Sequence, residues 1–218
     1  MNYQEQNKHS VRAEMNETIH APIQDMFPLA CPVMEYKWIP DWKCELVHCP
    51  NGHVELGTVF NEISSAPVLA DSITQKTTWT AVLYEPDRYR VHYRLDNPIS
   101  SSLYKIEFEA DASNKTKTHI EITYTPLNEK GIRNMERGGE EKLKLMLSSI
   151  SMTLKHYCEQ GDMVSDSEIM KLVSRFELTT KDRMRLFLNK LVMLCMKDDD
   201  RKRFQKGLPI SKVKSTRR

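Results

Sequence analysis

Asn128–Gln160 reads NEKGIRNMERGGEEKLKLMLSSISMTLKHYCEQ, a run written in the period of a helix. Leu143, Met146, Leu147, Ile150, Leu154, Tyr157 and Cys158 recur at three- and four-residue steps, which sets them on one stripe when the chain turns every ~3.6 residues. Glu140, Glu141, Lys142, Lys144 and Lys155 fall mostly off that stripe. Gly138 and Gly139 stand together inside the pattern, where each costs about 1 kcal/mol relative to Ala, and predict a bend or local break. So long an apolar stripe needs a broad partner. The alternating segments upstream supply one, a sheet curled around the helix, and that geometry leaves a cavity with Met146 and Ile150 on its helical wall.

With 218 residues and 39% hydrophobic composition, the chain suffices for one good core plus an appendage. Met1 to His9 is polar and offers no signal peptide, and the apolar patch around Leu186 to Met196 is far too short to span a membrane, which points to a cytoplasmic protein. The five cysteines are odd in number and lack an even framework, so reduced thiols are expected. Charge is uneven. From Lys197 to Arg218 nine Lys or Arg stand against three Asp, leaving a mildly acidic body and a basic tail. Only Phe204 is interleaved among those charges, so a solvated, disordered terminus is the expectation and nucleic acid is not the expected partner.

Upstream of the helix the text is strand-like. Val11, Ala13, Met15, Glu17 and Ile19 alternate with polar residues in Ser10–Ile19, and Ile23 to Leu29 reads as a helical turn or two opened by Pro22. Cys31 to Trp42, dense in Pro and aromatics, has no period and predicts a loop that folds back on the core. Lys43–Cys49 and His53–Ile63 read as strands joined by a turn at Pro50-Asn51-Gly52. Four more follow: Lys76–Tyr84 with Trp79, Ala81 and Leu83 on one face; Arg88–Leu95 with Tyr89, Val91, Tyr93 and Leu95; Ser101–Ala110 with Tyr104, Ile106 and Phe108; and Lys117–Thr125 with Ile120, Ile122 and Tyr124. One sheet face is dry and the other wet, as an antiparallel sheet allows.

The order strand, short helix, six strands, long helix is similar to the helix-grip fold shared by START domains, plant pollen-allergen (Bet v 1-like) proteins and polyketide aromatase/cyclases, the SRPBCC superfamily. Within it, Cys-Pro-Val-Met-Glu-Tyr-Lys-Trp-Ile-Pro-Asp-Trp-Lys-Cys-Glu at 31–45 resembles the C-P-V-x-E-Y-x-W-I-P-x-W-x-C-E signature of a bacterial branch of unknown function. Gly57–Phe60, Trp79, Tyr84-Glu-Pro86 and Leu154-Lys-His-Tyr157 fit the same branch. The resemblance implies an α+β helix-grip domain over residues 9–161. It implies no catalytic residue, because the branch has no agreed catalytic motif.

Beyond it, residues 162–204 read as a helical extension and 205–218 as the basic tail. Ser165 with Glu168 forms a capping box ahead of Ile169, Leu172, Val173 and Phe176, and Thr179 or Thr180 opens a second helix carrying Met184, Phe187, Leu188, Leu191, Val192 and Cys195. Two such stripes cannot bury each other completely. They should dock on the main domain or pair with a second copy as a homodimer.

Four potential metal ligands, Cys44, His48, Cys49 and His53, lie within ten residues, but alternation puts Cys44 and His48 on the face opposite Cys49 and the spacing matches no zinc pattern. No metal and no cofactor is called for. Cys31 has no identifiable histidine partner and is read as filling space under the loop. The inward aromatics Trp79, Tyr89, Tyr93, Tyr104 and Tyr124 either fill the core or line a mostly apolar pocket with a few polar handles. Glu35 and Trp38 on the early loop would form its lid or wall. The leading expectation is a module that binds a hydrophobic or aromatic small molecule, lipid or polyketide-like, through these residues. One alternative is a cyclase- or dehydratase-like enzyme moving protons with cavity Tyr and Glu groups. The other is an interaction module acting through the C-terminal helices and tail.

Overall fold

The computed structural model describes residues 9–40, 42–63, 76–111, 114–136 and 138–175. Seven strands form one antiparallel sheet: β1 Val11–Ile19, β2 Cys44–His48, β3 Val59–Ile63, β4 Lys76–Glu85, β5 Arg90–Asn97, β6 Ser100–Asp111 and β7 Lys115–Pro126, in the order β1-β7-β6-β5-β4-β3-β2. Strands β2 to β7 follow one another as a meander, and β1 closes the sheet against β7, with Val11 opposite Tyr124 and Ile19 opposite Thr116.

Side chains repeat every second residue along a strand, so the register lines the inner face with transverse rows. Leu46, Phe60, Trp79, Leu95, Ser102, Tyr124 and Val11 make one row across all seven strands. The next is Ala81, Tyr93, Tyr104, Ile122 and Ala13, every member buried. A bulge at Val82 interrupts the alternation of β4. Tyr93 pairs with Ala81 but His92 pairs with Leu83, so Leu83 joins the outer face and Tyr84, opposite Val91, takes the inner position expected for it. The turn at Asn51-Gly52 does lie within a β2–β3 hairpin, but His48 is opposite Val59, so residues 49–58 are connection and not the start of a strand at His53.

The chain between β1 and β2, consecutive in sequence, crosses from one edge of the sheet to the other. It does so as α1 (Ile23–Met26), a 3-10 turn (Phe27–Ala30) and α2 (Pro32–Glu35), so part of the expected loop is helical. Proline at the first position of α2 pre-sets the helical φ and gives up an N–H that would have no partner there. The segment is tied down by its own indoles: Trp38 Nε1 donates to Leu29 O and Trp42 Nε1 to Pro32 O, both at 3.0 Å.

The long helical run is two helices, α3 (Glu129–Met135) and α4 (Gly139–Gln160), broken where Gly138 takes a φ of 68°. Asn128 caps α3 by accepting from Lys130 N and Gly131 N, and its amide donates to Pro98 O, which anchors the helix to the β5–β6 turn. Leu143, Leu147, Ser151 and Leu154 form the buried line of α4, with Met146 and Ile150 half-buried on its flank. Lys155 Nζ reaches Glu17 Oε1 at 2.7 Å and joins α4 to β1. After Gly161, α5 (Asp166–Val173) begins with the expected capping box between Ser165 and Glu168, and Val164 ahead of it is buried. The expected second helix of the extension and the basic tail lie outside the described residues. No described helix is long and apolar enough to cross a membrane.

Candidate functional site

The inner face carries a continuous aromatic cluster. Phe60 stacks on Trp79 at 5.4 Å, and Trp42, Tyr93 and Tyr104 meet Trp79 edge-on at 6.2, 5.6 and 5.5 Å between ring centres. Offset and edge-on contacts suit the ring quadrupoles, so these rings hold one another in place. Their polar ends are used unequally. Trp79 Nε1 donates to Glu62 Oε2 at 2.8 Å, Tyr93 donates to Ala30 O at 2.9 Å, and Tyr124 donates to Gly131 O at 3.3 Å, fastening the sheet to β3, to the crossing segment and to α3. The Tyr104 side chain is buried as well.

Among the described residues four side-chain oxygens are buried without a hydrogen-bond partner; one, Oε2 of Glu85, has Arg90 at 3.8 Å, and the other three are Oε2 of Glu35 at the end of α2, Oγ of Ser102 on β6 and Oγ of Ser151 on the inner line of α4. They come from the three elements that enclose the interior. An unpaired buried donor or acceptor costs roughly 1–3 kcal/mol, so each of these oxygens has a hydrogen bond to gain from a further partner. Ser102 also stands between Leu95 and Tyr124 in its row, a small side chain between large ones.

Glu35 is 5% exposed. Burial pushes its carboxyl well above the usual range, and the nearby charge of Glu62 adds to the effect. Burial likewise lifts the Tyr93 and Tyr104 hydroxyls well above normal, and both are close enough to Glu35 to sense it. Burial thus favours the protonated carboxyl, a form that offers an O–H donor. The Cys31 thiol is also pushed up by burial, which opposes its becoming a nucleophilic thiolate.

Of the residues expected around the cavity, Trp79, Tyr93, Tyr104 and Glu35 come together. Trp38 is buried, but its indole belongs to the crossing segment, and Tyr124 belongs to the α3 anchor. Tyr89 lies on the inner side but outside that cluster, opposite Phe108. It precedes the strand with a φ of 54°, ends the 3-10 turn Pro86–Arg88, and sits half-buried against Phe27 at 5.7 Å, in a second cluster with Tyr84 and Phe108. Ser102 and Ser151 were not singled out in the sequence. The parity of Tyr104 on β6 and the four-residue step from Leu147 on α4 carry the signal for them.

Cys44, His48, Cys49 and His53 do not converge: Cys49 Sγ contacts His53 O, and His53 Nδ1 contacts Asn51 O. On the outer sheet face Glu14, His119 and Glu121 do gather within metal-ligand reach. There Arg12 already bridges Glu14 and Glu121 at 2.9 and 2.6 Å, and Lys105 reaches Glu121 at 2.9 Å, so the protein's own cations neutralise the group. An open outer groove lined by Arg88, Arg90, Glu107, Lys117 and His119 mixes both signs of charge and selects for neither.

No protein-family model matches the sequence, and no curated protein does. Solved structures do match. A START superfamily protein from Mycobacterium smegmatis aligns over 68% of this chain and 97% of its own at 10% identity and a TM-score of 0.50. The Zhui aromatase/cyclase from Streptomyces sp. R1128 aligns over 72% and 100% at 14% identity and 0.51. Ginseng major latex-like protein 151 from Panax ginseng aligns over 68% and 97% at 10% identity and 0.50. The chain has the helix-grip fold of these START, aromatase/cyclase and Bet v 1-like proteins, an SRPBCC-type fold. At such identities the likeness is one of fold alone.

Proposed function

We propose that the protein binds a hydrophobic or aromatic small molecule, lipid or polyketide-like in character, between the inner face of the sheet and α4. The observation that carries this reading is the set of buried polar atoms left without partners, Glu35 Oε2, Ser102 Oγ and Ser151 Oγ, around an aromatic wall of Trp79, Tyr93 and Tyr104. A mostly apolar site with a few convergent polar groups is the usual form of a small-molecule pocket. Met146 and Ile150, half-buried on the flank of α4, give the ligand a yielding wall.

Titrating the full-length chain with the neutral dye N-phenyl-1-naphthylamine tests it, alongside native mass spectrometry for a co-purifying ligand. Saturable fluorescence enhancement is expected. Ser102→Val fills the space in the sheet row and should weaken the dye roughly tenfold while leaving the melting temperature unchanged or higher, since it removes an unpaired hydroxyl. A chain that purifies empty and does not respond to the dye would sink the proposal.

Glu35 favours a second reading, an enzyme of cyclase or dehydratase type, because a buried acid beside Tyr104 whose protonated form burial favours can lend a proton. A bound species that leaves with a changed mass would mark turnover. One that leaves unchanged would mark binding only.

A further inference from the structure

Resting on the pocket reading above, we infer that Glu35 selects the ligand: the site takes an uncharged aromatic compound bearing a carbonyl oxygen, and it rejects carboxylate and phosphate anions. The Glu35 side chain is buried with Oε2 unpartnered, although the crossing segment around it is tied through Trp38 to Leu29 O, Trp42 to Pro32 O and Tyr93 to Ala30 O.

The groups that face Glu35 decide what it can meet. They are Glu62 on β3, Tyr93 on β5, Tyr104 on β6, Cys31 just ahead of α2 and Cys44 at the start of β2. None is a cation, and no described Lys, Arg or His pairs with Glu35. An anionic ligand would arrive beside two carboxyls and two phenols with no cation among these described groups to balance its charge, at a cost that burial magnifies. A neutral carboxylic acid instead presents one O–H donor, and its complement is an acceptor oxygen on an uncharged ring system. Trp79 and Tyr104, edge-on to each other, supply the surface on which such a ring can lie.

Three probes of one shape separate the possibilities: 2-acetylnaphthalene, its alkene analogue 2-isopropenylnaphthalene, and 2-naphthoate, each titrated into the wild-type full-length chain and followed by tryptophan quenching. At about pH 6 the ketone should bind roughly tenfold more tightly than the alkene, with the carboxylate weakest. The ketone's advantage should fade as pH rises through the elevated value of Glu35, because the ionised group no longer donates. Glu35→Leu should abolish the advantage while the alkene still binds; because the wild-type ranking needs no variant, the test survives if that variant fails to fold. Equal affinity for ketone and alkene, or tightest binding of 2-naphthoate, overturns the role of Glu35 while leaving the pocket standing. Silence of all three probes overturns the pocket reading and this inference with it.

Discussion

Glu35 and Glu121 are both buried carboxyls, and their surroundings give them opposite effects on stability. Glu35 has no counter-charge among the described residues, so its folded state keeps a proton that the unfolded chain releases near pH 4.5. Stability from this group is therefore full below that unfolded value and declines as pH rises towards the elevated folded one. Glu35→Gln should raise the melting temperature at about pH 7.5, with the gain shrinking to nothing near pH 4.5 in circular-dichroism melts; a gain that persists in acid would trace instead to packing. Glu121 is pushed upward by burial, but the hydrogen bonds and charges of Lys105 and Arg12 outweigh that and hold it below the usual range. Its contribution is present above the unfolded value and is lost as pH falls through the lowered one. Glu121→Gln should cost roughly 1–3 kcal/mol at neutral pH in denaturant unfolding, much of it from leaving Lys105 without its counter-charge. Neither environment could be read from the alternation pattern. That pattern put Glu121 on the wet face, which is correct, but it could not show that two cations would cover it.

Periodicity located the strands well because one face is dry, and it failed where the backbone departs from regular pleating. The bulge at Val82 moved Leu83 outward, and Tyr89, left-handed and ahead of β5, joins the Phe27 cluster instead of the Trp79 cluster. The glycine pair did announce the break between α3 and α4, and the two glycines around it serve different ends. Gly138 has a positive φ and open space around it, so Gly138→Ala should cost only the backbone strain, about 1–2 kcal/mol. Gly131 has an ordinary φ, but a Cβ there would strike the Ile99 carbonyl oxygen, a backbone atom of the turn that Asn128 also grips. Gly131→Ala should cost at least as much, roughly 1–3 kcal/mol, and unlike Gly138→Ala should also perturb the amide signals of the Asn97–Ser100 turn. Equal, purely energetic effects of the two substitutions would contradict the close packing of α3 on that turn.

For the molecule as a whole, the order of elements was open to reading, since it follows from which periods succeed one another. The interior was less so: aromatic alternation named Trp79, Tyr93 and Tyr104, whereas the unpaired hydroxyls of Ser102 and Ser151 emerge only once sheet and helix face each other. Strand β1 adds a consequence that concerns time. Strands β2 to β7 each pair with the next along the chain, but β1 must wait for β7, more than a hundred residues later, with Val11 finding Tyr124. Loop closure of that span is slow compared with hairpin formation. In pulse-labelled hydrogen exchange during refolding, amides of β4, β5 and β6 should gain protection before those of β1, and simultaneous protection would contradict this order. On a ribosome, the first strand made would then be the last to be placed. Until β7 emerges, β1 is an unpaired edge, and so the period of exposure to misassociation is set by the length of chain that separates two neighbouring strands.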